Sequence, residues 1–291
     1  MQAVRSILVV IEPHHAQTHA ENLALKRATM IADVTRAHIH LLICEKKHDH
    51  SALLTAHEHH LYGKGYSVSA EQAWNDSLHQ TIIDVQQAKN CGLVIKQHMP
   101  DNPLKKALLT PDDWKLLRLC PSAVLMVKTD KPWGGGVILA AVDVGNADGE
   151  HKALHFSIVD HGFQIAALAK GQLHVIAAHP SPMLSAADPV FQLKETIEAR
   201  YREQCLAFQA EFDVDDLHLH VAEGPADVLI PYTAHALSAA VTVIGTVGRT
   251  GLSGALIGNT AEVILDSLES DVLVLKTEET IAHLEELAFK G

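Results

Sequence analysis

The sequence predicts an α/β protein with two tandem, doubly wound domains, each a parallel sheet with helices on both faces. Three observations support this fold class. Short apolar runs recur in the same order in the two halves of the 291-residue chain. These runs are continuous rather than alternating, which is typical of strands buried on both faces of a parallel sheet. Amphipathic stretches between the runs are long enough to be crossover helices.

Eight apolar runs mark the predicted strands. Each run has about four to six residues, which is too short for a helix. The order of the runs is the same in both halves, so each half is predicted to be a β-α-β-α unit. They span residues 7–12, 38–43, 92–95 and 124–128 in the first half, and 138–143, 172–177, 241–244 and 272–276 in the second.

The helices are predicted from amphipathic stretches and from capping residues. Residues 20–32 and 154–169 have the length and the apolar face of crossover helices. Thr110 and Asn259 are suitable N-caps for the last helix of each half. In contrast, residues 46–65 are polar, rich in histidine and poorly patterned. We predict that this stretch is a mobile connection.

A proline and three glycines within residues 129–136 separate the two halves. Strands and helices rarely carry such residues internally, so we place the domain boundary there. After the last apolar run, acidic residues suit a helix start, and apolar residues follow at three-residue steps. The predicted domains are residues 1–130, residues 136–277 and a C-terminal helical tail at 278–291.

Composition and charge exclude several function classes. The 35 acidic and 23 basic residues give a formal charge of −12, which argues against binding a nucleic-acid backbone. The start of the chain lacks the features of a signal peptide, and no apolar run approaches the roughly 18 residues of a membrane span. The four cysteines form no C-x-x-C pair. We therefore expect a cytoplasmic protein without a membrane span and without a nucleic-acid partner.

A glycine-rich loop is the clearest sign of a ligand site. Gly245, Gly248 and Gly258 follow the apolar run 241–244. Glycines leave no Cβ between backbone N–H groups and a ligand, and a helix start at Asn259 adds a positive dipole end. The spacing fits neither the Walker pattern nor the dinucleotide fingerprint. We predict a phosphate site, and the alternative is a glycine-rich turn without a ligand.

This spacing resembles the nucleotide-binding signature of the universal stress protein family. The signature has two glycines separated by two residues, then nine residues, then a glycine and a small polar residue. Asn259 stands where family members usually have Ser or Thr. Residues 110–122 also carry the resemblance, which extends over most of the chain as a tandem member. It implies a five-stranded parallel sheet of the adenine nucleotide alpha-hydrolase-like type in each half.

The resemblance also implies that the last strands of the two halves pair across a pseudo-twofold axis. This pairing has a physical reason, because residues 124–127 and 272–275 would otherwise be exposed apolar edges that promote aggregation. Tethering within one chain raises the effective concentration of the two edges. We therefore expect an intramolecular pseudo-dimer that needs no second copy. A further homodimer is compatible with this arrangement.

The resemblance implies an ATP site in the second half. Asp143, at the carboxyl end of a strand, would accept both ribose hydroxyls, and its alternative role is to cap the next helix. Ala178 matches the position whose backbone reads the adenine edge. The expected cofactor is ATP, with or without Mg²⁺. The predicted nucleotide-binding residues are Asp143, Val144, Ala178, Gly245, Gly248, Arg249, Gly258, Asn259 and Thr260.

The first half lacks the glycines of the predicted phosphate site. Lys96, Met99 and Thr110 stand where the second half has its three glycines. Asp112 and Asp113 place two carboxylates in the first turn of the following helix. Carboxylates there satisfy the helix dipole and repel a phosphate. We expect the first half to bind no nucleotide.

Twenty-one histidines raise the question of a metal site. His151 and His155 lie one helical turn apart and are the candidate metal pair, but no third ligand is spaced to join them. Zinc is therefore not expected as a cofactor. No nucleophile or acid-base pair stands out, so no catalytic residue is predicted and any ATPase activity should be slow.

Together these features predict a stress-response protein that binds ATP or a related nucleotide in its second domain and is regulatory rather than strongly catalytic. The alternative is a carrier or interaction protein that binds an apolar or phosphorylated metabolite, or zinc, instead of a nucleotide. The absence of a lysine in the glycine loop and the presence of Asn259 favour the alternative. The three glycines together with Asp143 favour the nucleotide.

Overall fold

The computed structural model describes residues 4–13, 22–98, 111–145, 148–182, 193–246 and 259–290. The elements of the first half are β1 (Ser6–Val10), α1 (Leu23–Thr35), β2 (His38–Cys44), α2 (Ser51–Gly63), β3 (Val68–Ala73), α3 (Leu78–Ala88), β4 (Leu93–Gln97), α4 (Pro111–Leu119) and β5 (Ala123–Val127). Those of the second half are β6 (Val137–Val142), α5 (Gly149–Ala169), β7 (Gln172–His179), α6 (Lys194–Phe212), β8 (Leu219–Glu223), α7 (Ala226–Ala236), β9 (Val241–Thr246), α8 (Asn259–Ser267), β10 (Asp271–Lys276) and α9 (Glu278–Lys290).

The ten described strands form a single sheet in the order β3-β2-β1-β4-β5-β10-β9-β6-β7-β8. Within each half all neighbours are parallel. The halves meet where β5 and β10 pair antiparallel, with Leu125 opposite Leu273. The predicted five-stranded parallel sheets and the intramolecular pseudo-dimer are therefore confirmed. The apolar edges of the two halves cover each other.

Side chains that alternate along the strands build one core on each face of the sheet. Along β1, Ile7 and Val9 join the core beneath α1, α2, α5 and α6, whereas Leu8 and Val10 join the core beneath α3, α4, α7 and α8. Both cores extend through the two halves. Because helices cover both faces, the sheet is doubly wound and its central strands are continuous apolar runs.

The prediction of a mobile connection at residues 46–65 was wrong, because α2 occupies most of this stretch. Just before the helix, Asp49 accepts a hydrogen bond from the backbone N–H of Ser51 at 2.9 Å, which forms an Asx turn at the helix start. Leu54 and Leu61 are buried against the sheet. Two apolar residues seven positions apart on one face are sufficient here, although the other positions are mostly polar.

The segment that connects β5 to β6 is anchored by a buried tryptophan and by hydrogen bonds. Trp133 is fully buried, and Arg27 of α1 donates hydrogen bonds to the backbone carbonyls of Thr129 and Lys131 at 3.2 and 2.6 Å. Arg27 of the first half therefore helps to hold this segment in place. The domain limits given above stay predictions.

The last helix, α9, begins after Thr277, whose hydroxyl accepts a hydrogen bond from the backbone N–H of Thr280. Leu284 is buried, whereas Leu287 is half-exposed. Within the described part of the chain, no helix combines the length and the apolar character that crossing a membrane requires.

Candidate nucleotide site

A cavity of about 820 Å³ opens at the carboxyl ends of β6, β7 and β9. Two connections leave this point for opposite faces of the sheet: α5 follows β6 on one face, and α8 follows β9 on the other. Ligands of open parallel sheets bind at such a reversal of strand order. Helices α5, α6, α7 and α8 all contribute to the wall. The lining includes Val142, Asp143, Leu154, His155, Ala178, Tyr201, Ile230, Ile244, Gly245 and Ile264.

Asp143 lies at the mouth of this cavity, directly after β6, and its side chain is exposed. Its Oδ1 accepts a hydrogen bond from the backbone N–H of Gly145 at 3.1 Å. The N-cap of α5 is Asp148, which accepts from the backbone N–H of His151 at 2.9 Å. The alternative role of Asp143 as the cap of this helix is therefore taken by another aspartate.

His155 supports the turn that presents Asp143. Its Nε2 accepts a hydrogen bond from the backbone N–H of Asp143 at 3.2 Å. Burial lowers the pKa of His155, and the nearby Asp143 carboxylate opposes this shift. A neutral imidazole is the form that accepts a hydrogen bond, so the lowered pKa and the geometry agree.

The candidate metal pair has other partners. His151 Nδ1 contacts Asp148 Oδ2 at 2.6 Å, and the rings of His151 and His155 have centroids 6.4 Å apart. Among the described residues, no group of three ligand atoms includes either of these histidines. The one-turn spacing of the pair is thus explained by two separate hydrogen bonds near the cavity mouth.

Tyr201 of α6 is a site residue that the sequence did not reveal. It is 6% exposed, lines the cavity and approaches Gly145 so closely that a Cβ there would overlap its hydroxyl. Burial raises the pKa of Tyr201, and the charge of Asp143 adds to this effect. In the sequence, Tyr201 belongs to an apolar helical stripe with Ile197 and Cys205, which predicts only a buried face.

Three further predicted residues have defined places. Ala178 near the end of β7 and Gly245 in β9 line the cavity, whereas Val144 is buried in the core. A Cβ on Gly245 would lie 2.6 Å from Leu154 Cδ2 and 2.9 Å from Ile158 Cδ1. Gly245 therefore lets α5 pack tightly over β9, a structural reason that is independent of any phosphate.

The remaining predicted residues belong to the glycine loop. Gly248, Arg249 and Gly258 lie outside the described residues. Asn259 and Thr260 are the first two residues of α8, and their side chains lie outside the described part of the structure. The side chain of Ile264, one turn further along α8, lines the cavity. The middle of α8 thus borders the same space as Asp143.

The corresponding place in the first half holds a buried charge network. Lys96, which replaces Gly245, has its Nζ 2.9 Å from Asp113 Oδ1 and 3.9 Å from Glu12 Oε1. His98 Nδ1 lies 2.9 Å from Asp113 Oδ2. Burial opposes ionisation of Asp113, but the hydrogen bond from His98 and the charge of Lys96 outweigh burial and hold the pKa of Asp113 well below its usual range. Met99 and Thr110 lie outside the described residues.

Comparisons with known proteins assign this architecture to a family. The profile of the Universal stress protein family matches residues 136–276. The chain is 36% identical to universal stress protein E of Salmonella typhi over 222 residues, which are 74% of this chain and 70% of that protein. It is 31% identical to the universal stress protein E homolog of Haemophilus influenzae, with 94% of this chain and 97% of the relative covered.

A solved structure from Pseudomonas aeruginosa, described as a universal stress protein, is 67% identical to this chain. The two superpose with a TM-score of 0.91, over 99% of this chain and 98% of that one. Sequence, fold and the tandem arrangement therefore agree, and the chain belongs to the universal stress protein family of stress-response proteins.

Proposed function

We propose that the second half binds ATP or a related nucleotide in the cavity of about 820 Å³, and that the protein is regulatory rather than strongly catalytic. One observation carries this proposal. Asp143, Ala178 and Gly245, three residues predicted as nucleotide ligands, border one cavity from the ends of three strands. The cavity volume also falls within the range of about 300–1,000 Å³ that is typical of small-molecule sites.

The lining suggests how a nucleotide would be oriented. An ionised Asp143 offers acceptors to two ribose hydroxyls. The phosphates would then lie toward the start of α8, where the helix dipole favours negative charge. The described lining contains no Lys or Arg, so Arg249 of the glycine loop is the nearest candidate cation in the sequence. The proposal covers binding of the nucleotide with or without Mg²⁺ on its phosphates.

The same lining supports at most slow hydrolysis of ATP. His155 lies beside Asp143, and its Nε2 already accepts a hydrogen bond from the Asp143 backbone N–H. A general base needs a free acceptor within reach of an attacking water. Any ATP turnover should therefore be slow.

The first half is proposed to be a partner domain that binds no nucleotide. The carboxylate of Asp113 stands in the first turn of α4, where a phosphate would need the helix dipole. Lys96 and His98 already contact this carboxylate at 2.9 Å each, so neither is available to an incoming phosphate. An anion entering this place would have to displace a buried, paired carboxylate.

A second candidate function is carriage of an apolar or phosphorylated metabolite. The observation that favours it is a wall of aliphatic side chains that lines the same cavity as Asp143. A base or sugar uses such a wall only in part, whereas an acyl chain would use all of it. This wall is formed by Leu154, Ile158, Ile230, Ile244 and Ile264.

Mass spectrometry distinguishes the two candidates. Tag-free protein would be purified without added nucleotide, and both the native protein and its denatured extract would be analysed. We expect a nucleotide mass in the extract and the same increment on the native chain. A lipid-like or sugar-phosphate mass in its place, together with no binding of added ATP, would establish the carrier function and remove the nucleotide proposal.

We also propose a cytoplasmic location. All four cysteines are free, and Cys91, Cys120 and Cys205 are buried, which fits a reducing compartment. Fractionation of cells into cytoplasm, periplasm and membrane, followed by immunoblotting, tests this directly. Recovery in a membrane or periplasmic fraction would contradict it.

A further inference from the structure

The turn between β2 and α2 brings together one carboxylate and two imidazoles. Glu45, His48 and His50 each offer one ligand atom, and these atoms lie within 4.8 Å of one another. Glu45 Oε2 and His48 Nδ1 are 3.9 Å apart. In a tetrahedral zinc site with bonds of about 2.1 Å, the ligand atoms are about 3.4 Å apart. Small side-chain rotations would therefore close these three groups around an ion.

A single side chain fixes the backbone of all three residues. Gln72 of β3 donates from Nε2 to the carbonyl oxygens of Glu45 and His48, at 3.0 and 2.7 Å. Its Oε1 accepts from the backbone N–H of His50 at 2.7 Å. The turn is thus held in one conformation by a neighbouring strand. Hydrogen bonds to the residues that supply the ligands orient those ligands in metal sites.

The candidate ligand atoms of Glu45 and His50 are also suited to a cation. Glu45 Oε1 accepts hydrogen bonds from the backbone N–H groups of Lys46 and Lys47 at 2.9 and 2.7 Å, which leaves Oε2 facing His48. His50 Nε2 is shielded from solvent and has no hydrogen-bond partner among the described residues. A shielded polar atom without a partner is costly, and a bound ion would remove this cost.

The surroundings are negative. The turn borders a cavity of about 520 Å³ whose wall has four carboxylates, from Glu45, Asp49, Glu58 and Glu71, against one cation, Lys46. Asp49 itself is occupied, because its carboxylate accepts from the backbone N–H and the hydroxyl of Ser51. Glu71 is also paired, because its Oε1 lies 3.5 Å from Lys89 Nζ and 2.8 Å from His40 Nε2. The carboxylates of Glu45 and Glu58 therefore supply the remaining negative field, which favours entry of a cation.

We propose that Glu45, His48 and His50 bind a divalent transition-metal ion, with zinc as the ion that best fits two imidazoles and a carboxylate. Imidazole ligands select such ions over Mg²⁺ and Ca²⁺, which prefer oxygen. Three protein ligands leave a fourth position for water. The side chain of His48 is 72% exposed, so the ion has access from solvent. This site differs from the pair His151 and His155, and it reverses the expectation that zinc is absent.

The test uses the full, tag-free chain after removal of metal by a chelator and dialysis. Zn²⁺ is titrated in competition with a chelating indicator dye. We expect one site whose affinity falls at least tenfold in His48→Asn and in Glu45→Gln. His59→Asn, an exposed histidine on α2 outside the cluster, is the matched control and should bind like the wild type. A cluster that is only a surface ion pair would bind no zinc in any of these proteins.

A second variant tests the positioning role of Gln72. Gln72→Met keeps all three ligands but removes the three hydrogen bonds, and we expect zinc affinity to fall about 10- to 100-fold. X-ray absorption of the zinc complex should show two imidazoles in the first shell. Unchanged zinc affinity and stoichiometry in the triple variant Glu45→Gln, His48→Asn, His50→Asn would overturn the proposal. Equal competition by Mg²⁺ would overturn the choice of metal class.

Discussion

Arg27 of α1 and Asp271 at the start of β10 form a hydrogen-bonded ion pair of 2.8 Å between the two halves, and both side chains are fully buried. The Asp271 carboxylate also accepts from Trp133 Nε1 at 2.8 Å and from the backbone N–H of Lys128 and Thr129. The guanidinium in turn lies 4.9 Å from the centre of the Trp133 ring. One aspartate of the second half thus fixes a helix of the first half and the segment that connects them.

Removal of either charge from this pair should destabilise the protein strongly. Arg27→Met or Asp271→Asn leaves the other group buried without its counter-charge, which costs about 3–5 kcal/mol in known cases. The free energy of unfolding would be measured by urea denaturation followed by circular dichroism. The matched control is Lys194→Met, because Lys194 and Glu223 form an exposed ion pair of 2.9 Å. Equal behaviour of buried and exposed variants would show that the pair does not join the halves.

Gly245 should be required for packing as well as for any ligand. Gly245→Ala places a methyl group against Leu154 and Ile158, and such overpacking costs about 1–3 kcal/mol. The control is Gly92→Ala, because a Cβ there meets no atom within 4 Å and its φ is not in the left-handed region. Thermal unfolding of both variants measures the difference. A Gly245→Ala protein as stable as the wild type would mean that α5 moves freely over β9.

The fold could be predicted where both faces of a strand are buried. The runs around Ile7, Leu41 and Val243 are continuous because apolar residues are needed on each side of the sheet. The edge strands β3 and β8 show no such run, because their residues are partly buried or exposed. Helix α2 was missed for a related reason, since only Leu54 and Leu61 are buried on it.

The site could be predicted where a residue stands at the end of a predicted strand. Asp143 was assigned from its place at a strand end together with the family resemblance, and Ala178 was assigned from the resemblance; both line the cavity. Tyr201 comes from a distant helix whose pattern predicts burial alone, so no local signal marks it. The pairing of Lys96 with Asp113 was also missed, because it depends on how α4 packs beside β4. Contacts between distant elements are set by tertiary packing, which one sequence does not display.

Stability should depend on pH through two adjacent imidazoles. His174 Nδ1 and His220 Nε2 are 2.9 Å apart, and burial, followed by the nearby His218, lowers the pKa of both. Between the lowered folded pKa and the unfolded pKa of about 6.5, the unfolded chain binds more protons. The stabilisation is therefore complete above about pH 6.5 and is lost as the pH falls through the folded pKa.

The variant His220→Gln removes one of these imidazoles. We expect its free energy of unfolding to fall less than that of the wild type between about pH 7 and pH 5. His283→Gln, an exposed histidine on α9, serves as control and should follow the wild-type curve. Parallel curves for His220→Gln and the wild type would show that the pair does not contribute to acid sensitivity.

The two halves should differ in occupancy. Because the buried network around Asp113 fills the first-half site, calorimetric titration with ATP should saturate near one nucleotide per chain. Glu12, which follows β1 as Asp143 follows β6, provides the comparison. Glu12→Gln should leave affinity and stoichiometry unchanged. Two equal sites per chain would refute the inequality of the halves.

Asp143→Asn should weaken ATP binding by about 1–3 kcal/mol, the range for losing a hydrogen bond to a charged group. An ionised carboxylate accepts from both ribose hydroxyls, whereas an amide offers one acceptor oxygen and turns two donors toward the sugar. The fold should survive, because the Asp143 side chain is exposed and Asp148 caps α5. The wild type should therefore prefer ATP to its 2′,3′-dideoxy analogue, and this preference should disappear in the variant. Paired titrations that give equal discrimination by both proteins would place the ribose away from Asp143.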